Sequence, residues 1–515
     1  MSAVWAPLLP LAMVGTDRQP SLPAWPGDIG QLMAQAANQS PDVSTGALRI
    51  AGVLAVCSLA GAQGVAWSEP LPVAAVEDAL PTVDGNLLPT LMDWAFRDGS
   101  ARLHHQICQA LSEARHRLPT NLLPMALDLG RRSLALRVVL SPVLGERGRW
   151  LAAQRDDWRY AAGVDSEVAG DLSWTDGSIE QRRAFLARER ALAPQAARER
   201  LQQALSELSA KERADMLGVL AEHLTLDDEP LLDALRVDRS REVRVVALDL
   251  LLRLPDAAHP KRAMARMAAM LKHERALIRK RWVIEAPEAI GADWKADNLD
   301  TPRPQHESVG DRAWLLYQVA RQVPLSWWTQ HLDMSAQELL QWAKAGDWHE
   351  ALIRAWRDVL LAAPDERWCE AFLANWPETK LRDDPATILA LLPRASREQY
   401  WQKHLGDATT APLNLLVPQM LAACPMGETL SPSLSTALVE MLGKRAEINT
   451  LGHDHGLRWH LPDLCCALHM DAADHMAQWP RHAEETPSFA AILHTVTQIV
   501  ATRRALHNLS TSKTT

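Results

Sequence analysis

The sequence is poor in the residue types that mark disulfide-rich, redox-active or β-rich proteins. Six of its 515 residues are cysteine. None of them stands in a Cys-x-x-Cys spacing, and the adjacent Cys465 and Cys466 do not suggest a disulfide framework. Phenylalanine and tyrosine number only four and three, and β-branched runs are scarce beside abundant alanine and leucine. This composition predicts an all-α protein in a reducing, cytoplasmic compartment.

The sequence also lacks the short motifs of common catalysts. It contains no G-x-x-x-x-G-K-[ST] phosphate loop, no G-x-S-x-G nucleophile elbow, and no G-x-G-x-x-G after a strand. His349-Glu350 begins a phrase like the zinc-protease H-E-x-x-H, but Ile353 stands where the second ligand is needed. We therefore predict that the protein is not an enzyme and that it uses no metal or other cofactor.

Two segments could indicate a metal site or a membrane span, and each has a simpler structural interpretation. Cys465 or Cys466 could share a helical face with His469, near His453, His455, His460, His475 and His482. Their spacing matches no zinc motif, so a histidine-rich helical end is the preferred interpretation. Residues 50–67 carry no charge but are interrupted by glycine, and no basic region precedes the apolar N-terminus. This stretch predicts a buried helix rather than a membrane span or a secretory signal.

The clearest positive signal is one unit of a helical repeat. Thr225 and Asp228 have capping-box spacing and introduce a first helix over about 227–236. A second helix follows over about 240–253 and stops at Pro255. Its apolar residues recur with a period near 3.6. Asp238 lies in the turn between the helices and is predicted to cap it, with Arg244 paired inside the stack.

The neighbouring residues repeat this arrangement. Residues 195–208 and 209–224 form an earlier pair with Ser209 and Glu212 as a second capping box, and Pro260 begins the next helix, over 260–272. An Asp in the turn, a Val-Arg pair and a later Ala-x-x-Leu resemble the HEAT repeat, in which neighbouring helix pairs bury each other. We predict an all-α, HEAT-like solenoid of stacked antiparallel helix pairs with an irregular helical N-terminal region.

Breaks in this pattern divide the chain. The predicted parts are a helical N-terminal region (1–163), a linker (164–180), the HEAT-like block (181–292), a second linker (293–310), Trp-rich helical repeats (311–507) and a disordered tail (508–515). Eleven of the 20 tryptophans lie between Trp282 and Trp401. They could stack on bases or line a peptide groove, but gap filling between helices is the preferred interpretation.

Charge marks two candidate interaction surfaces. Residues 181–281 carry 21 Lys and Arg against 15 Asp and Glu in a chain whose net charge is −9. Arg239 and Arg241 are the predicted exposed charges there. Arg147, Arg149 and Trp150 form a second candidate, in which two glycines either present a basic loop to an anion or permit a tight helix–helix turn.

Several of these pieces, in this order, resemble an uncharacterised bacterial family. The matching pieces are Gly15-Thr16-Asp17-Arg18, residues 144–152 with Trp158, and residues 227–230 leading into the Asp238 repeat. Where the family pattern has Asn-Pro before Trp158, this chain has Arg155-Asp156-Asp157. The resemblance implies a genomic neighbourhood that contains a MoxR-type AAA+ ATPase, von Willebrand factor A-domain proteins and a SWIM zinc-finger protein.

Together these observations support a non-enzymatic scaffold or adaptor. Its expected partner is a protein, either the MoxR-type ATPase or the A-domain protein that the resemblance implies, with no membrane. The alternative is a HEAT-like nucleic-acid-binding protein that uses the basic region 236–282, but the net negative charge argues against it. That region contains Arg236, Arg239, Arg241, Arg244, Arg279, Lys280, Arg281 and Trp282. A third hypothesis, a catalytic site without a motif, requires a buried acid–base group in a concave pocket.

Overall fold

The computed structural model describes residues 5–60, 72–162, 174–175, 179–275, 280–291, 294–299, 302–375, 385–406, 413–482 and 485–511. The chain divides into two compact units, residues 1–74 and 75–515. Helices dominate both, and the strands among the described residues form one two-stranded hairpin. The prediction of an all-α protein is therefore confirmed at the level of class.

The first unit consists of α1 (Leu9–Val14), α2 (Gly27–Asn38) and α3 (Val43–Ala60). Helix α3 buries Ile50 and Leu54 on one side and leaves Leu48, Val56 and Leu59 exposed. The prediction of a buried helix over residues 50–67 is thus wrong for residues 50–60, because the apolar residues surround the helix and the small core covers only one face. By length and composition alone, α3 could cross a membrane. Residues 61–67 lie outside the described residues.

The second unit begins with helices that share its main core. These are α4 (Leu87–Asp98), α5 (Ala101–Glu113), α6 (Leu123–Arg132), α7 (Leu134–Leu140) and α8 (Gly145–Ala153). The helices of the region predicted to contain the repeats, called the repeat region below, follow: α9 (Ile179–Leu192), α10 (Pro194–Ala204), α11 (Ala210–Leu217), α12 (Glu229–Leu235), α13 (Arg241–Leu252) and α14 (Ala258–Met270).

The remainder of the second unit is a further series of short helices. They are α15 (Asp311–Ala320), α16 (Leu325–Leu332), α17 (Ala336–Lys344), α18 (His349–Ala362), α19 (Glu366–Ala374), α20 (Ala386–Leu389), α21 (Arg394–Gly406), α22 (Leu413–Ala423), α23 (Pro432–Glu447), α24 (Leu461–Ala467), α25 (Met470–Ala477) and α26 (Pro487–Thr511).

Local sequence signals in the repeat region form the predicted contacts. Ser209 and Glu212 make a reciprocal capping box at α11, and Thr225 and Asp228 make another before α12. These bonds satisfy amide donors that the first helical turn leaves free. Asp238 Oδ1 accepts the Ser240 amide at 2.7 Å. The predicted caps are confirmed.

Residues 186–257 have a hydrophobic core of their own, separate from the main core of the second unit. Arg190 and Asp228 are both fully buried inside this region, with Nη2 and Oδ2 2.6 Å apart. Arg190 also donates to the carbonyls of Pro194, Glu222 and His223. One side chain thereby connects α9 to the turns after α9 and α11.

The main core joins segments that are distant in sequence. Helix α26 packs against α4 and α5, and α24 also packs against α5. Arg102 donates to the carbonyl of Cys424 at 2.9 Å, and Gln106 donates to that of Cys466 at 2.7 Å. The predicted N-terminal and C-terminal helical regions therefore share one core within the second unit.

The hairpin was not expected. Strand β1 (Leu271–Arg275) pairs antiparallel with β2 (Lys280–Ile284), where helix was predicted to continue to residue 272. Trp282, Val283 and Ile284 are residue types that suit a pleated surface, and the Trp282 ring lies 3.6 Å from that of His273 on the opposite strand. Helix α14 therefore ends at Met270.

The predicted connections also differ from the structure. In the predicted linker 293–310, Trp294, Asp297 and Leu299 are buried, so its described part belongs to the folded body. The linker 164–180 lies largely outside the described residues, as do residues 512–515. The prediction of disorder from residue 508 is wrong for 508–511, because α26 continues to Thr511 with Leu509 packed on the core.

Tryptophan fills the core, as preferred from the sequence. Trp328, Trp356, Trp368 and Trp401 are fully buried. The rings of Trp328, Trp356 and Trp368 meet edge to face, with successive centroids 5.1 and 5.3 Å apart. These rings contribute packing area and are inaccessible to a base or peptide.

Candidate binding cleft

A cleft of about 300 Å³ opens between α13, α14, α15 and α18 of the second unit. Arg241 and Pro304 are exposed at its mouth, whereas His259 and Leu252 are buried at its floor. The lining residues are Arg241, Arg244, Val245, Leu248, Asp249, Leu252, His259, Asn298, Pro304, Trp314, Tyr317, Gln318, Arg321, Gln322 and Arg354. The size lies at the lower end of the range of small-molecule pockets.

The lining is cationic. It contains four arginines and one carboxylate, that of Asp249. Burial raises the pKa of Asp249, against the opposing effect of Arg321 and Arg253. Arg321 Nη2 lies 3.7 Å from Asp249 Oδ1, which is a loose ion pair. The cleft therefore suits an anionic group.

The four arginines are engaged to different degrees. Arg244 Nη1 donates to the carbonyls of Asp238 and Arg239, and Arg354 pairs with Glu307. The Arg241 guanidinium forms no hydrogen bond or ion pair with another described residue. Arg241 is therefore the cation at this cleft that is most available to a ligand.

One wall of the cleft is aromatic. The Trp314 and Tyr317 rings stack with centroids 5.0 Å apart, and the Arg354 guanidinium lies 4.7 Å from the Tyr317 centroid. The Tyr317 hydroxyl donates to Asp358 at 2.7 Å. Burial, together with Asp358, raises the pKa of Tyr317 to about 12. Tyr317 therefore stays neutral and is held in place at neutral pH.

Asp297 lies behind the floor and is the centre of a buried ionic cluster. It accepts from Arg262 at 2.8 Å and pairs with Arg236 and Arg266 at 3.1 and 2.6 Å. His259 Nδ1 lies 3.2 Å from Asp297 Oδ1. Burial alone would raise the pKa of Asp297, but hydrogen bonds from His259, Arg262 and Arg266 outweigh it and hold that pKa well below its ordinary value.

This cluster ties three elements together. Arg236 comes from the end of α12, and His259, Arg262 and Arg266 come from α14. Asp297 ends a 3-10 helix, Trp294–Asp297, in the segment 293–310 that is predicted to be a linker. No residue near Asp297 in the sequence indicates this cluster, because the partners of Asp297 lie 31 or more residues away. Its carboxylate fixes His259 at the floor of the cleft.

The two sequence-predicted surfaces have different positions. Arg239 and Arg241 are both exposed, as expected, but only Arg241 lines the cleft. Arg147 is exposed on α8, and Arg149 on the same helix pairs with Glu146. The structure does not place the α8 residues and the cleft residues in one site.

The glycines of the Arg147 candidate are structural. The segment is a helix rather than a basic loop. Gly145 has φ +65°, and a Cβ there would overlap the Asp78 carboxylate. Asp78 accepts the Glu146 amide at the start of α8 and pairs with Arg117 at 3.2 Å. Gly148 packs closely on Leu144. These positions agree with the alternative in which the glycines permit a tight helix–helix turn, and an interaction role for Arg147, Arg149 and Trp150 stays a prediction.

Substituting Gly145 with alanine is expected to lower the free energy of unfolding by about 1–2 kcal/mol, from the left-handed backbone alone. Displacement of Asp78 adds to this loss. Gly218→Ala is the control, because Gly218 has φ −57° and open space around its Cα position. Urea denaturation of both variants measures the difference, and equal midpoints would contradict this account of Gly145.

The basic region of the nucleic-acid alternative is partly neutralised. Arg236 pairs with Asp233 and Asp297, and Trp282 packs on His273 and His331. Arg279 lies outside the described residues, as do the side chains of Lys280 and Arg281. Three other exposed cations of the region are engaged: Arg253 with the Ala362 carbonyl, Lys261 with Asp256 and Lys272 with Glu285. The exposed described cations without such a contact, Arg239 and Arg241, are few for a phosphate-tracking surface.

The C-terminal histidines and cysteines do not converge. Cys465 and Cys466 are buried, and burial raises the pKa of Cys466 to about 11. His482 Nε2 contacts the Ala446 carbonyl at 2.7 Å. Among the described residues, no group of three or more His, Cys, Asp or Glu side chains could hold a metal ion.

Comparison with known proteins gives one match. The model of a family of unknown function matches residues 7–509. No curated protein and no solved structure matches the chain significantly. The match agrees with the resemblance to an uncharacterised family, and it transfers neither an activity nor site residues.

Proposed function

Because the chain belongs to the family of unknown function DUF5691, we propose its role from its architecture. It is a non-enzymatic, cytoplasmic helical scaffold or adaptor that binds a protein partner. The observation that carries this proposal is the pair of exposed arginines, Arg239 in the turn between α12 and α13 and Arg241 at the start of α13. Because the helices and the turn that carry these charges are already ordered, binding a partner through them costs little further conformational entropy.

Packing between alternate helices supports a HEAT-like solenoid arrangement. Helix α13 packs on both α11 and α12, and alternate helices also pack together at α9 with α11, α17 with α19 and α23 with α25. Such neighbour-to-neighbour burial is the physical basis of a repeat stack. The block at 181–292 is its clearest part.

The chemistry of the exposed charges favours an acidic partner. The guanidinium groups of Arg239 and Arg241 make no hydrogen bond or ion pair to other residues in the described part of the chain, so they need not break a contact to bind carboxylates. From the family resemblance, the proposed partner is a MoxR-type AAA+ ATPase or a von Willebrand factor A-domain protein. Electrostatic complementarity of this kind mainly sets specificity and association rate.

Charge reversal tests this proposal. Arg239→Glu and Arg241→Glu should each weaken binding of the partner by about tenfold. The readout is biolayer interferometry with the purified ATPase and A-domain proteins. Arg183→Glu on α9 is the matched control, because Arg183 is also exposed and the charge change is the same. Failure of both proteins to bind, or an equal loss in the control, would refute the proposal.

Nucleic-acid binding is the alternative function, because Arg239 and Arg241 could contact phosphates as well as carboxylates. Fluorescence anisotropy with single- and double-stranded DNA and RNA at low salt separates the two functions. Binding that weakens steeply with salt and is lost in Arg239→Glu would favour the alternative. Binding of the protein partner alone would favour the adaptor.

A further inference from the structure

Among the buried polar atoms of the cleft lining, His259 Nε2 at the floor and Gln322 Oε1 have no hydrogen-bond partner among the described residues. The His259 side chain is only 2% exposed. Its Nδ1 faces Asp297, and in the neutral imidazole the proton that the Asp297 carboxylate accepts lies on Nδ1, which leaves Nε2 as an acceptor. A buried acceptor without a donor costs free energy, so this position favours a ligand that supplies a hydrogen-bond donor.

Gln322 leads to the same conclusion from a second side chain. Its Nε2 donates to the Asp297 carbonyl at 2.9 Å, and this bond fixes the amide orientation. Gln322 Oε1 is therefore also an acceptor. His259 and Gln322 are both held by Asp297, and their two acceptors on the cleft lining favour a ligand that brings hydroxyl or N–H donors to its inner end.

The outer part of the cleft favours an anionic group, because its cations can donate hydrogen bonds to a ligand. Four arginines and one carboxylate line the cleft, a formal balance of +3 from the lining residues, and Arg241 is the exposed one of the four. Arg241 is unengaged and Arg321 is only loosely paired. A guanidinium matches phosphate geometry with two parallel donors, and a phosphate monoester carries about −1.5 to −2 charges at neutral pH.

Size and shape limit the ligand further. A volume of about 300 Å³ corresponds to roughly ten water molecules. Val245, Leu248 and the Trp314–Tyr317 pair form an apolar and aromatic side wall. A sugar ring or a small planar group fits between that wall and the arginines.

We infer that the cleft is a binding site for a free, small phosphate monoester of a hydroxyl-bearing compound, such as a pentose phosphate or a nucleoside monophosphate. The phosphate lies at the mouth against Arg241 and Arg321. Hydroxyl or N–H groups of the ligand donate to His259 Nε2 and Gln322 Oε1. This inference does not depend on partner binding by the adaptor.

Isothermal titration calorimetry on the full chain tests it, with ribose 5-phosphate and AMP as probes. Ribose, adenosine and inorganic phosphate test the two ends of the ligand separately, and a phosphoserine peptide tests a protein-borne phosphate. We expect saturable binding of one ester per chain. Its affinity should exceed that of the matching neutral compound and of inorganic phosphate by about tenfold or more.

Two substitutions locate the binding. Arg241→Gln should weaken ester binding about tenfold. Arg239→Gln makes the same change two positions earlier in the sequence, at a residue that does not line the cleft, and should change the affinity by less than about twofold. Leu248→Trp fills the cleft without changing charge and should abolish binding. Circular dichroism and thermal melting confirm that each variant is folded.

The inference fails if neither ester binds saturably, if Arg239→Gln weakens binding as much as Arg241→Gln, or if folded Leu248→Trp still binds. Preference for the phosphoserine peptide also overturns it and indicates a phosphorylated partner. The adaptor proposal is separable. Loss of partner binding in Arg239→Glu with unchanged ester binding identifies two functions at adjacent surfaces.

Discussion

Arg190→Met is expected to lower the free energy of unfolding of the repeat region by about 3–5 kcal/mol. The substitution leaves Asp228 as an uncompensated charge at a fully buried position. It also removes the donors to the carbonyls of Pro194, Glu222 and His223. Arg198, 3.0 Å from Asp228 Oδ1 at the edge of the region, compensates only part of that charge.

Hydrogen exchange of the α9–α13 amides at increasing urea measures this loss locally, since the region has its own core. Arg200→Met is the control. Its pair with Glu189 is partly exposed, at 28% and 16%, and should cost about 1 kcal/mol or less. Arg190→Met/Asp228→Asn should recover part of the loss, because it removes both charges while the amide oxygen can still accept the Thr225 N–H of the capping box. Equal effects of Arg190→Met and Arg200→Met would contradict the buried-charge argument.

Asp297→Asn should cost about 3 kcal/mol or more. The amide keeps the shape of the side chain but leaves Arg236, Arg262 and Arg266 close together without their shared anion. Asp233→Asn is the matched control, since the Asp233 side chain is 40% exposed and should contribute less than about 1 kcal/mol.

The same substitution has a pH signature. The folded-state pKa of Asp297 lies below its ordinary value. Its stabilising contribution is therefore complete above the unfolded-state pKa of about 4 and is lost as pH falls toward the folded-state pKa. The difference in urea midpoint between the original protein and Asp297→Asn should be constant from pH 7 to about pH 5 and shrink below about pH 4. A difference that grows on acidification would contradict the assignment.

Features that depend on neighbours in sequence were predictable. The capping boxes at Ser209 and Thr225 and the turn at Asp238 follow from residue types within a few positions, and all form as predicted. The preferred role of tryptophan as packing material also follows from composition and helical context. Each of these inferences requires only local hydrogen bonding or helical periodicity.

Features that depend on distant partners were not predictable. Arg190 and Asp228 are 38 residues apart, as are His259 and Asp297. In the sequence, Asp297 lies among Asn298, Pro302 and Pro304, a composition typical of a connection. Asp297 can be buried because Arg236, Arg262 and Arg266 neutralise its charge, and only the three-dimensional packing brings these residues together. For the same reason, Arg241 could be predicted as exposed but not as part of a cleft with α15 and α18.

The packing of α26 on α4 and α5 has a consequence for how the chain acquires its structure. Helices α4 and α5 leave the ribosome long before residues 487–511 are made, and until then their apolar faces lack a covering helix. Contacts between such distant segments raise the contact order and slow folding relative to a stack that closes on itself locally. The repeat region at 186–257, with its independent core, can fold during that interval. Completion of the main core must wait for α26, so the apolar faces of α4 and α5 that it covers stay exposed on the nascent chain until then.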